Sequence, residues 1–94
     1  MSVFAFGSST LPGLAKLAEE CGEVTQVIGK LMMTGGAAEH WDGADLIVRL
    51  KEEMADVMAA LIFVGQTNFE EQDFEERVNA KLALFNQWHE EQAT

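Results

Sequence analysis

Proline occurs once, cysteine once and tyrosine not at all in this chain of 94 residues. The lone Cys21 cannot close an intrachain disulfide, which makes a reducing cytoplasm the expected compartment. Pro12 stands near the start, so the rest of the chain is free of the strongest helix breaker. Basic side chains are also scarce, six against sixteen acidic ones, for a formal net charge of −10. That balance excludes a nucleic acid polymer and an anionic membrane surface as partners. An anionic substrate could be met only through a cation. No apolar run approaches the roughly twenty residues of a membrane span, and Met1 to Phe6 lacks the basic start of a signal peptide. A soluble intracellular protein is expected. Strand alternation, internal repeats and low-complexity tracts are absent as well.

What remains is helical. Leu14, Leu17, Cys21, Val24, Ile28 and Leu31 recur at steps of three and four and predict a helix from about Pro12 to Met33. Ser8-Ser9-Thr10 supplies candidate N-caps, Pro12 suits a first turn, and Gly35-Gly36 is the stop. Gly35 to Ala44 reads as a loop in which Trp41 is expected to pack on the core. Asp45 is the expected N-cap of a second helix reaching about Gly65, with an apolar stripe through Leu46, Ile47, Leu50, Met54, Val57, Met58, Leu61 and Val64. After a break at Gly65 to Asn68, a third helix over about 70–91 should turn Phe74, Val78, Leu82, Phe85 and Trp88 inward. Phe4 and Phe6 form a short apolar arm against the body or a second subunit. Ala18, Gly22, Thr25 and Gly29 form a line of small residues that suggests close approach by another helix or a ligand. The expectation is an all-α, long-helix bundle, residues 1–94 as one domain, with a core modest enough that oligomerisation should complete it.

Two stretches carry the chemistry. Leu17-Ala-Glu-Glu-Cys-Gly-Glu on the first helix is answered by Leu50-Lys-Glu-Glu-Met-Ala-Asp on the second. Glu20 with Glu23, and Glu53 with Asp56, stand three apart and therefore share a helix face. Acidic residues on helices are usually a solvated face. These two pairs instead border or enter the apolar stripes, where a purely solvating charge is out of place. Packing the helices together would gather four carboxylates whose mutual repulsion a hard divalent ion relieves. Glu19 and Glu52 stand beside them and could act in support. A di-iron bundle is excluded because neither His40 nor His89 has a glutamate three residues before it, and both histidines read as surface residues. A phosphate-cradling Gly-x-x-x-x-Gly-Lys-Ser/Thr loop is missing too. Cys21, on the apolar stripe and far from either histidine in sequence, reads as core.

Taken in order, these motifs resemble the Glu-Glu-x-x-Glu and Glu-x-x-Asp motifs of the MazG-like all-α nucleoside triphosphate pyrophosphohydrolases, and Lys81 with Asn86 resembles the lysine and asparagine of that family's last helix. The resemblance implies hydrolysis of a nucleoside or deoxynucleoside triphosphate to monophosphate and pyrophosphate with Mg²⁺, for which Mn²⁺ can substitute. It implies Glu20, Glu23, Glu53 and Asp56 as metal ligands, with Glu19 reaching a further ion or orienting water. It also implies a homodimer or homotetramer. The chain departs from the family after Asn86, where Gln87, Trp88 and His89 stand in place of an arginine. Lys81, Arg77, Arg49 and Lys30 are then the candidates for the outer phosphates. A second reading, a non-catalytic helical assembly or nucleotide-binding module with a structural cation, is separated from the first by turnover.

Overall fold

A computed structural model describes residues 9–36 and 45–93. The expectations for Phe4, Phe6, His40 and Trp41 fall outside the described residues. Among those described, the fold is all-α and follows the order α1 (Leu14–Met33), α2 (Leu46–Asn68) and α3 (Gln72–Ala93).

Helix α1 does not begin where serine and threonine offer caps. Its N-cap is Gly13 at φ 86°, without a side-chain hydrogen bond, and Pro12 lies before the helix. Packing explains the shift. A Cβ on Gly13 would stand 2.6 Å from a ring carbon of Phe63 and 3.2 Å from Val64, so the chain turns at the one residue that tolerates both the contact and the left-handed backbone. Asn68 fastens this turn by donating from Nδ2 to the carbonyls of Pro12, at 3.1 Å, and Val64, at 2.9 Å. The end of α1 follows expectation. Gly36 N–H donates to Leu31 O at 2.8 Å and Gly35 N–H to Met32 O at 3.2 Å, the paired closure that a left-handed glycine permits.

Asp45 caps α2 as its sequence position suggests, with Oδ1 accepting from the N–H groups of Ile47 and Val48, each at 3.0 Å. The expected break at Gly65 does not occur. One glycine costs a helix about 1 kcal/mol, and with Val64 buried and Asn68 tied to Pro12 the helix runs on through it. It stops at Phe69, which is extended at φ −139°. Glu70 N–H then donates to Asp73 Oδ2 at 3.0 Å, and Phe69 meets Phe74 edge-on, with ring centroids 5.7 Å apart, as α3 starts.

Helices α1 and α2 lie antiparallel: the start of α1 touches Phe63 and Val64 near the end of α2, while Glu23 further along α1 reaches Glu53 further back on α2. Their seam buries Val27, Leu46 and Val64. Helix α3 packs on neither of the others along its length. The described chain is accordingly flat, measuring 43 × 35 × 16 Å. This corrects the expectation for the third helix. Phe74, Val78, Leu82, Phe85 and Trp88 do share a face, but all five are exposed, and no residue of α3 is buried. Part of the α2 stripe is open for the same reason: Met54, Met58, Leu61 and Ile62 point away from α1 and remain about half exposed. Between the end of α2 and the start of α3 lies an open cleft of about 570 Å³, walled by Leu61, Ile62, Phe74 and Val78. No described helix is long and apolar enough to cross a membrane.

Candidate metal centre

The site is built midway along the α1–α2 seam. Spacing by three puts Glu20 and Glu23 on the side of α1 that meets α2, and the same spacing does this for Glu53 and Asp56 on α2. One carboxylate oxygen from each of the four comes within 4.8 Å of those of the other three. Their exposure is graded: Glu20 is buried, Glu23 and Glu53 are half-buried, and Asp56 opens to solvent. One side of the group is covered and the other accessible, as a site for an ion that must also meet a substrate requires.

The covered side holds an imbalance. Glu20 Oε2 and Glu53 Oε2 are both buried with no hydrogen-bond partner. Leaving a buried carboxylate oxygen without a partner costs about 1–3 kcal/mol or more, and two such atoms in one group of acids call for a cation. Glu23 responds to the same crowding. A hydrogen bond with Glu53, reinforced by the nearby charge of Glu20, raises its carboxyl above the ordinary glutamate value. Hard oxygen donors without nitrogen or sulfur suit Mg²⁺, Mn²⁺ or Ca²⁺ rather than a softer metal. The residues present therefore fit a hard divalent ion.

The other sequence candidates are distributed unevenly. Glu19 lies outside the group of four, on the solvent side, where its Oε1 is 3.3 Å from Lys16 Nζ. Glu52 is exposed. Lys30 is half-buried and stands seven residues beyond Glu23, about two turns along the same face of α1. Arg49 is half-buried one turn before Glu53. Lys81, Asn86 and Arg77 are carried on α3, away from the α1–α2 seam. His89 is exposed, as expected, but Cys21 is exposed rather than core. Its position falls beyond the edge of the stripe that α2 covers, and the seam is closed by Val27 instead. The small-residue line likewise meets nothing among the described residues, since a Cβ on Gly22 or Gly29 would find open space there. Sequence reasoning passed over Lys16, whose Nζ lies 3.0 Å from Glu20 Oε1. The spacing of four is visible in the sequence, but it is common on exposed helices and does not by itself mark the pair.

Compared with protein-family models, the chain matches the MazG nucleotide pyrophosphohydrolase domain over residues 9–83. The chain belongs to the MazG family. The matched stretch takes in both carboxylate pairs and Lys81 and stops short of Asn86. Neither the curated proteins nor the solved structures hold a significant match to the chain. Membership in the MazG family carries the general activity of a nucleotide pyrophosphohydrolase and accords with an acidic group that can take a metal.

Proposed function

We propose that this MazG-family protein hydrolyses a nucleoside or deoxynucleoside triphosphate between the α and β phosphorus atoms, releasing monophosphate and pyrophosphate, with Mg²⁺ held by Glu20, Glu23, Glu53 and Asp56. The observation that supports it most is the pair of unpartnered buried oxygens, Glu20 Oε2 and Glu53 Oε2, inside a group of four carboxylates on two packed helices. A bound Mg²⁺ supplies neutralisation of phosphate charge, a template for the substrate and activation of water. The chain's own residues do the rest. Asp56, the exposed member of the group, takes the substrate side of the site in this reading. Glu19, also at the solvent side, orients the attacking water or reaches a further ion. A protein of net charge −10 repels a polyphosphate at long range, so its few cations matter locally. Lys30 and Arg49, half-buried near the end of α1 and the start of α2, reach outward phosphates in this reading. Lys81 and Asn86 contribute only when α3 is brought to the seam, and in a homodimer or homotetramer the α3 helix of a second copy would do so.

The test is incubation of each common ribo- and deoxyribonucleoside triphosphate with the protein and Mg²⁺, with separation of the products. At least one triphosphate should give monophosphate and pyrophosphate in equal amounts, and chelation should abolish both. Diphosphate with orthophosphate would refute the position of cleavage. Stabilisation by a nucleotide without turnover would instead favour the non-catalytic binding module.

A further inference from the structure

The two oxygens of Glu20 have different surroundings. Oε1 faces Lys16 Nζ at 3.0 Å, whereas Oε2 is buried with no partner. The lysine side chain is 45% exposed and that of Glu20 only 9%, so the ammonium arrives from solvent and covers one edge of an otherwise enclosed carboxylate. It has a second carboxylate partner as well, because Glu19 Oε1 lies 3.3 Å from the same Nζ. Glu19 and Glu20 follow Lys16 by three and four positions, which places all three on one turn-to-turn surface of α1. Two anchoring points fix the ammonium better than one exposed ion pair could.

We propose that Lys16 is a positioning residue that sets which divalent ion the site prefers, by engaging Glu20 Oε1 and leaving Oε2 as the oxygen available to metal. The inference rests on the reading of the four carboxylates as a metal centre. Mg²⁺ is small, keeps much of its water and takes few carboxylate oxygens, while Ca²⁺ takes about six to eight oxygens and gains from carboxylates that offer both of theirs. A glutamate with one oxygen already holding an ammonium offers the second oxygen only after a charge-assisted hydrogen bond is broken. Lys16 thereby handicaps Ca²⁺ more than Mg²⁺. Its positive charge weakens both ions alike, since both carry the same charge, and that effect cancels in the ratio of their affinities. The ratio therefore reports on the oxygens of Glu20 and not on charge alone.

The experiment titrates the metal-free protein with MgCl₂ and, separately, CaCl₂ by calorimetry, for the parent, Lys16→Met, Lys16→Ala and Lys16→Arg, with helix content checked by circular dichroism. Methionine and alanine are good helix formers and remove the amine in two ways. Both variants should shift the affinity ratio toward Ca²⁺ by about tenfold, the scale of one hydrogen bond to a charged group. Lys16→Arg, which keeps a cationic donor, should retain the parental ratio. An unchanged ratio in the methionine and alanine variants, with binding intact, overturns the role of Lys16 and leaves the metal centre standing. A parent that binds neither ion overturns both.

Discussion

Glu23 and Glu53 meet across the α1–α2 seam, and a hydrogen bond between two carboxyls requires that one of them keep a proton. With Glu20 close by, the neutral form of Glu23 is favoured and its carboxyl titrates above the ordinary value of 4.5. The sign for stability follows from linkage: a group that binds its proton more tightly when folded stabilises the fold below its unfolded value, and that contribution is lost as pH rises through the folded value. The melting temperature of the metal-free protein should therefore contain a component that falls as pH climbs from about 4.5 toward neutrality. Glu23→Gln, which cannot titrate, should lack that component. Thermal scans across this range in the presence of a chelator check it, and parallel curves for the two proteins would contradict it. The four acids could be read from the sequence because spacing by three fixes a helix face whatever the tertiary structure. Lys16 could not be singled out in that way, since a lysine one turn before a glutamate is common on any exposed helix, and only the burial of Glu20 gives this one a consequence.

Among the elements, the entry to α1 depends most on a single backbone. Gly13 combines a left-handed φ of 86° with a Cβ position 2.6 Å from the Phe63 ring, so Gly13→Ala meets both strain and overlap at once. Gly29 lies inside α1 with open space at its Cβ, so Gly29→Ala should meet neither. Urea unfolding should show Gly13→Ala less stable by about 1–3 kcal/mol and Gly29→Ala more stable by about 0.5–1 kcal/mol. Destabilisation of Gly29→Ala would mean that something packs on that side of α1. The contrast also marks what sequence reading could reach. Asp45 and Gly35-Gly36 were legible as a start and a stop because their hydrogen bonds are local. Gly13 was not, because its reason is a ring fifty residues away. Gly65 misled for the same reason in reverse: its helix is held by the neighbours Val64 and Asn68 rather than by its own propensity.

For the whole molecule, the apolar periodicity of α3 correctly gathers Phe74, Val78, Leu82, Phe85 and Trp88 on one face, but periodicity says nothing about what covers that face, and among the described residues neither α1 nor α2 does. With Met54, Met58, Leu61 and Ile62 also open on α2, more apolar surface is exposed than a lone small domain ordinarily carries. Light scattering at micromolar concentration should give at least a dimer. Leu82→Glu, a change at an exposed helical position, should lower the mass without loss of helix, and a parent of monomeric mass would contradict the assembly. The central claim nevertheless concerns the carboxylates, and the most direct test of it is Mg²⁺-dependent release of pyrophosphate by the parent, Glu53→Gln and the control Glu90→Gln, with metal-free melting measured alongside. Exchange of Glu53 for its neutral isostere relieves repulsion and leaves a donor for Glu23, so the fold should be at least as stable without metal. Turnover should fall by about 10²-fold or more, since charge stabilisation at a phosphoryl group is worth several kcal/mol, while Glu90→Gln should match the parent in both respects. Release by Glu53→Gln at the parental rate would contradict the account.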